Sequence, residues 1–346
     1  MINDLITLKS GKVYEYLHHL DAKAYGTARM LSIFIGDFDD GTVIIDCGSS
    51  LDIKNVLKYL KKSSIPLYTI KYLITTHHHF DHNGGLWKLY EEVKKYNPQV
   101  KIVTNQITKT LLNDFEHHLA RGARTYGNLV GEMKPIEDYA FQIIEPSNIF
   151  DSNPESFESF ASFYSDGSEI KLTIFKSPGH TPDHQCPAFI KDGKIDFIHF
   201  GEAVGTIYHS SELVTMPTSM PIYYNHDKYM ETLENIKKLS PQKAGFGHFG
   251  LINGKQNVKN IVLEHHSYMN IFRENIIKYY KEKPETEYVL KKMMPLLTPR
   301  TDMPFEDNPV FGGIALAIVY GEMISLGYRD IPEEELVYYN KFYSLL

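Results

Sequence analysis

The stretch Ile70-Lys71-Tyr72-Leu73-Ile74-Thr75-Thr76-His77-His78-His79-Phe80-Asp81-His82 opens as a short apolar, β-branched run and ends in metal-ligand side chains. Ile70 to Thr76 reads as a strand. Directly after it, His77-x-His79-x-Asp81-His82 places four ligand-type groups within six positions. A loop leaving a strand end can turn such side chains into one cavity. Neutral imidazole nitrogens and a carboxylate oxygen form a donor set that divalent zinc, iron or manganese accept. A tag or a solvated histidine run would need neither Asp81 in step nor the small pair Gly84-Gly85 behind it.

On the N-terminal side, residues 29–47 form two β-branched runs joined by Asp39-Asp40-Gly41, a hairpin signal in which Gly41 can supply a positive φ. Asp52 to Lys62 reads as a helix with Ile53, Val56, Leu57 and Leu60 on one face. On the C-terminal side, Leu86 to Tyr96 reads as a helix stopped by Asn97-Pro98, and Val100 to Thr104 as a strand. This alternation predicts a layered α/β domain. Residues 105–168 break the pattern, with a helix over Ile107 to Leu119 and a polar loop excursion around 145–168. Strands resume at Ile170 to Lys176, Ala188 to Ile190, Asp196 to Phe200 and Lys243 to Gly247.

The domain is expected over residues 1–256, with a helical extension over 257–346 packed on it. The extension's helices are expected at Val258 to Lys283, Glu285 to Met294, Val310 to Leu326 and Pro332 to Leu346. In the third of these Glu322 is the only charge, which suits a core helix or a homodimer seam. No internal repeat or coiled-coil heptad is visible.

Composition narrows the function. With 36 basic and 43 acidic residues the formal net charge is -7, and no basic stripe suited to a nucleic-acid backbone is present. The two cysteines, Cys47 and Cys186, form neither a CxxC nor a disulfide framework, so a reduced, cytoplasmic setting is expected. Met1 to Tyr16 lacks a basic start followed by an apolar run, so no signal peptide is expected. The longest apolar stretch falls short of the roughly 20 residues a membrane span needs.

Three later positions repeat the pattern of a ligand-type side chain at a strand end beside glycine. They are His180 in Ser177-Pro178-Gly179-His180-Thr181-Pro182, Glu202 in His199-Phe200-Gly201-Glu202, and His248 in Gly245-Phe246-Gly247-His248. Singly each is weak; in this order they are strong. The series HxHxDH, PGHT, an acidic residue after a strand and glycine, and a late Gly-His resembles the metallo-β-lactamase superfamily over roughly residues 29–250.

That resemblance implies a four-layer αββα sandwich with two divalent metals at one edge, zinc first and iron or manganese as alternatives. By motif, His77, His79 and His180 would hold one metal, and Asp81, His82 and His248 the other. Glu202 stands where the family usually has a bridging Asp; its extra methylene calls for a recessed backbone or another coordination mode. Relatives such as the alkylsulfatase branch also use Glu. The implied activity is hydrolysis of an ester, thioester, lactone, phosphoester or sulfoester of a small molecule by a metal-activated water. Asp81 would accept the nucleophile's hydrogen bond. No GxSxG competes for that role. The alternative is a di-iron protein that binds or reduces oxygen or nitric oxide; the flavin-coupled members of that branch typically carry a carboxylate at the position of His79.

Tyr208 is the first choice for an extra acid or oxyanion donor, ahead of His209, Tyr223, Tyr224 and His226. His184 is a candidate to orient His180 or substrate, and His78 to support the ligands or face solvent. His199 reads as structural. The pairs His18-His19, His117-His118 and His265-His266 read as helical, solvated or packing residues. The helices after the core resemble, loosely, those that shape the substrate cleft in glyoxalase II and lactonase-like branches.

Overall fold

A computed structural model of the chain describes residues 5–150, 153, 156–303 and 309–344. Two seven-stranded sheets pack face to face. The first runs, in spatial order, Gly11–Tyr14, Leu17–Asp21, Ser32–Phe38, Gly41–Ile45, Ile70–Ile74, Lys101–Thr104 and Phe141–Ile143. The second runs Ile6–Thr7, Gly250–Asn253, Lys243–Phe246, Lys194–His199, Gln185–Lys191, Ser168–Lys176 and Ala161–Ser165.

The inner strands are apolar on both faces, which is what a sheet covered on both sides requires. Successive side chains alternate between two cores. Phe34, Val43, Ile45, Ile74 and Val103 meet Phe163, Leu172, Phe189, Phe197 and Leu251 between the sheets. Their neighbours Ile33, Ile35, Ile44, Leu73 and Ile102 point outward, into the cluster that holds Ile53, Val56 and Leu60 of the helix Ile53–Lys62 and Leu86, Leu89 and Val93 of the helix Leu86–Lys94. The αββα layering expected from the sequence is thus present.

Four strands of the first sheet, from Gly41–Ile45 to Phe141–Ile143, run parallel. In the second, Lys194–His199 and Lys243–Phe246 run parallel. Parallel strands discharge their C-terminal ends at one edge, where α/β proteins place ligands. Asp46, His77, Asn105, Glu202 and His248 all follow such ends.

Several expectations are corrected. The hairpin turns over Asp39-Asp40, but Gly41 keeps a negative φ. A Cβ there would lie 3.0 Å from Phe163 and would push the end of the Lys71 side chain aside. The single helix expected over Ile107 to Leu119 is two, Gln106–Asn113 and Glu116–Tyr126. Asn105 caps the first by accepting from Thr108 N–H. The chain then leaves helical geometry at Asp114 (φ -107°, ψ 60°), which lets Phe115 enter the core. The excursion around 145–168 contains the strand Ala161–Ser165, paired with Ser168–Lys176 through Asp166-Gly167, both at positive φ. That dipeptide is a hairpin signal that the polar composition around it obscured. Of this excursion, residues 151, 152, 154 and 155 lie outside the described residues. His18 and His19 are not helical: they lie buried in the strand Leu17–Asp21.

The C-terminal helices are Lys255–Glu282, Thr286–Leu297, Pro309–Ser325 and Glu333–Tyr343. Of the fourth helix expected to Leu346, the last two residues lie outside the described residues. Phe311, Ile314, Ile318 and Val319 of the third helix are buried in the same cluster as the outer sheet faces, and Glu322 is buried against Arg273 and His226. The bulk of this helix's apolar surface is therefore buried within the chain itself. Among the described residues no helix is long and apolar enough to cross a membrane.

This helix presses on residues 217–221. A Cβ at Gly321 would lie 1.9 Å from Ser219 O, and Ser219 Oγ donates to Ile318 O at 2.6 Å. Gly321→Ala is therefore expected to destabilise the fold by about 1–3 kcal/mol through overpacking. Denaturant midpoints of the two chains compare the effect, and an unchanged midpoint would refute the tight contact.

Candidate metal centre

Five histidines and two carboxylates converge at the sheet edge. Glu202 Oε2 lies 2.8 Å from His180 Nε2, 3.3 Å from His77 Nε2, 3.4 Å from His82 Nε2 and 3.9 Å from His79 Nδ1. Its other oxygen lies 3.8 Å from His248 Nε2. Asp81 Oδ2 stands 3.7 Å from His248 Nε2 and 3.9 Å from His82 Nε2. Two groups that could each hold a cation follow: His77, His79, His180 and Glu202, and Asp81, His82 and His248. The structure thus brings together all seven residues expected from the sequence, with Glu202 reaching toward both groups.

The hydrogen bonds behind these side chains fix which nitrogen faces inward. His180 Nδ1 donates to Thr218 O at 2.6 Å, and His248 Nδ1 donates to Met30 O. His82 Nδ1 lies 3.1 Å from Asp46 Oδ2, an acceptor, so it carries its proton there. Thr76 Oγ1 spends its proton on Asp46 Oδ2 at 2.7 Å, so it accepts from His77 Nδ1 at 2.9 Å. Each of the four rings is thereby held with Nε2 toward Glu202. His77 Nε2 and His82 Nε2 are buried and make no hydrogen bond to any described residue. Buried polar atoms without partners are costly; inward-facing imidazole nitrogens beside carboxylates fit a divalent cation. The donor set fits the metals that the sequence implies.

The electrostatics agree. Burial, followed by the neighbouring His82, pushes His77 well below its ordinary pKa; burial likewise lowers His79. Glu202 is held well below the carboxylate range: burial opposes ionisation, but His180, His77 and His79 outweigh it. His82 is held well above its ordinary value, because Asp81, Asp46 and Glu202 together overcome burial. A cation bound there would replace that proton.

Glu202's extra methylene is accommodated by its backbone. Gly201 has φ +54°, and a Cβ there would lie 2.7 Å from His184 Nε2. Without it, His184 Nε2 accepts Glu202 N–H at 3.1 Å, while Ser177 Oγ lies 2.8 Å from His184 Nδ1. His184 therefore orients Glu202 rather than His180. Burial, then His180, pushes its pKa down to about 3, so it stays neutral and free to accept.

Three supporting residues escaped the sequence reading. Asp46 ties Thr76, His82 and Asn83 together and adopts φ +59°, a conformation that aspartate and asparagine reach more readily than other residues with a Cβ. Its signal was a carboxylate ending an apolar strand. Asp183 accepts from both the backbone and Nδ1 of His78, at 2.8 and 2.9 Å, which places His78 behind the ligands and away from solvent. His118, expected to be solvated or packing, stacks on His79 at 5.3 Å and accepts Phe80 N–H at 3.1 Å. It forms a third cluster with His78 and His79. His265 is buried, with Nε2 2.8 Å from Tyr229 OH, which donates to Glu202 O. His199 stays structural, 3.6 Å from Asp46.

Of the five candidates for an extra donor, Tyr208 alone lines the cavity over the site. Burial first, then Glu202 and Asp81, raise its pKa far above the ordinary value, so its hydroxyl keeps its proton. His226 bonds Tyr224 and Glu322, Tyr223 packs on His78, and His209 caps a turn.

Asp46→Asn is expected to fold, because asparagine tolerates the left-handed backbone. Losing the carboxylate should weaken metal binding about 10–100-fold, the usual effect of removing such a support. Titration of the stripped protein with zinc against a chromophoric chelator checks this; unchanged affinity would remove Asp46 from the support.

Fold and site together define a two-sheet sandwich with a histidine-carboxylate cluster at one edge that could hold cations. The model of the metallo-beta-lactamase superfamily matches residues 31–248, and the chain belongs to that superfamily. It is 31% identical over 75 residues to a hydroxyacylglutathione hydrolase of Idiomarina loihiensis, covering 20% of this chain and 27% of that one. A second enzyme of that name, from Chromohalobacter salexigens, is 41% identical over 64 residues, covering 18% and 22%. The chain spans about a quarter of the length of these curated relatives. In overall fold it is similar to an archaeal superfamily member from Sulfolobus tokodaii, with TM-score 0.58, 19% identity, and 91% of this chain and 100% of that one covered. A family protein of Thermus thermophilus gives 0.55 at 14% identity, covering 86% and 88%.

Proposed function

We propose that this protein is a metal-dependent hydrolase that opens an ester or thioester bond of a small molecule, using two divalent cations, zinc first among them. The observation that carries this reading is the inward aim of four Nε2 atoms around Glu202, two of them buried without a hydrogen-bond partner among the described residues. The partial relatives named for thioester hydrolysis support the bond class.

When bound, such a cation pair supplies a water of lowered pKa and polarises the carbonyl oxygen. His77, His79, His180 and Glu202 would hold one cation, and Asp81, His82 and His248 the other, with Glu202 shared between them. Asp81, more exposed than Glu202, would accept the water's proton and pass it to the leaving alkoxide or thiolate. The Tyr208 hydroxyl, kept protonated, donates to the oxygen on which charge develops. Asp46, Asp183 and His184 keep the ligand side chains in place, so little reorganisation accompanies the reaction.

The test is metal content of anaerobically purified protein together with hydrolysis of a panel of esters, thioesters and lactones. About two cations per chain and cleavage of one bond class are expected. Bound iron with an oxygen-dependent absorption band, and no hydrolysis across the panel, would replace this reading by a di-iron one.

A further inference from the structure

An open cavity lies above the metal edge, lined by Asp81, Glu202 and His248 on one side and by Tyr25, Phe80 and Tyr126 among its other residues. Away from the metal ligands its walls are mainly aromatic and apolar, with Arg121, His118 and three threonines among them. Tyr25 and Tyr126 stack with centroids 5.5 Å apart and planes 18° apart, and both meet Phe80, at 6.5 and 5.9 Å. Tyr25 achieves this at φ +56°, an unfavourable backbone for a bulky residue, of the kind that gathers at ligand sites. Ile314 and Ala317 of the helix Pro309–Ser325 also line it, and Gly313 of the same helix packs beside Tyr126.

Among the described residues, Arg121 is the only cationic side chain of lysine or arginine type at this cavity. It is already engaged: Nη1 pairs with Glu335 of the C-terminal helix, Nη2 lies 3.4 Å from His118 Nδ1, and the guanidinium sits 5.7 Å from the Tyr223 ring. A negatively charged substrate tail therefore finds no free cation on these walls. It would be desolvated without a partner, which is unfavourable.

We propose that this cavity selects an uncharged carboxylic ester or thioester whose apolar acyl group lies against the Tyr25–Tyr126 shelf and the adjoining helix Pro309–Ser325. It discriminates against anionic peptide conjugates such as hydroxyacylglutathione. This rests on the hydrolase reading of the same site. Burying each methylene of the acyl chain on these walls should raise kcat/KM by about 4-fold, its ordinary transfer free energy, until the cavity is filled. From acetyl to hexanoyl the gain is on the order of 100-fold.

The experiment uses the metal-loaded full chain. It measures kcat/KM for p-nitrophenyl acetate, butyrate and hexanoate and for a hydroxyacylglutathione, and calorimetric binding of N-phenylhexanamide, a neutral amide. The hexanoate-to-acetate ratio should be on the order of 100, the charged thioester should be the poorest substrate, and the amide should bind. Tyr126→Ala, which removes half the shelf, and Ala317→Trp, which fills the cavity, should each lower the ratio about tenfold and weaken amide binding. A charged thioester processed as well as the hexanoate, or a ratio unchanged in both variants, overturns the assignment. If no ester is cleaved but the amide binds, and binds more weakly to Tyr126→Ala, the hydrolase reading fails and the cavity assignment stands. If the amide does not bind, the cavity assignment fails whatever the activity.

Discussion

Glu202→Ala is expected to abolish stoichiometric cation binding and lower kcat/KM by at least about a thousandfold, roughly 4 kcal/mol of transition-state stabilisation. No other side chain of the site approaches both ligand groups through two oxygens. Its removal takes the one carboxylate from the group formed with His77, His79 and His180, leaving three buried imidazoles. A divalent cation there would face neutral donors alone in a low-dielectric site, with its charge uncompensated. Glu202→Asp separates charge from reach. It keeps the carboxylate but withdraws it by one methylene from a His180 contact of 2.8 Å. Metal stoichiometry should fall between those of wild type and alanine. Plasma emission spectrometry on dialysed protein reads the stoichiometry. If Glu202→Ala retains a full complement, the carboxylate is not a ligand.

Chelation of the wild-type protein should abolish hydrolysis reversibly and lower the melting temperature by roughly 10 °C, while leaving the chain folded. A cation present at a thousand times its dissociation constant stabilises the native state by about 4 kcal/mol per site. In a chain of this size each kcal/mol moves the midpoint by a few degrees. The fold should survive because its two large cores and the hydrogen bonds of Asp46, Asp183 and His184 use none of the inward-facing ligand atoms. Circular dichroism before and after chelation, and again after zinc is restored, follows both effects. Unfolding on chelation would make the metal structural rather than catalytic; full activity in the stripped protein would remove it from the reaction.

The legibility of this protein was uneven, for identifiable reasons. His77 to His82 announced themselves because four donors on one short loop need no tertiary information to be recognised as a set. His180, Glu202 and His248 were found because each follows a strand beside glycine, a local signal that survives without contacts. Asp183 sat two residues from a quoted motif and gave no such signal, since its role is defined by His78, 105 positions away in sequence. His118 was read only as a solvated or packing residue for the same reason: the break at Asp114, which sets its helix against His79, has no signal in the local sequence. Asp166-Gly167 was legible and overlooked, because a strand with polar residues such as Ser162 and Tyr164 on its exposed side lacks the apolar run that marked the inner strands.

What the sequence determined by itself is the donor set and its order, because ligand chemistry depends on residue type and on short spacings along one strand-to-loop junction. It also determined the layered architecture, because strands apolar on both faces must be covered on both faces. The tertiary structure alone decided which nitrogen of each imidazole faces inward, how Glu202 spans two ligand groups despite its length, and what surrounds the substrate space. Those depend on Asp46, Thr218, Met30 and His184, and on a C-terminal helix brought against Thr125 and Tyr126. Such groups meet only after distant segments pack, and side-chain orientation in a buried site is set by the hydrogen-bond partner on its far side.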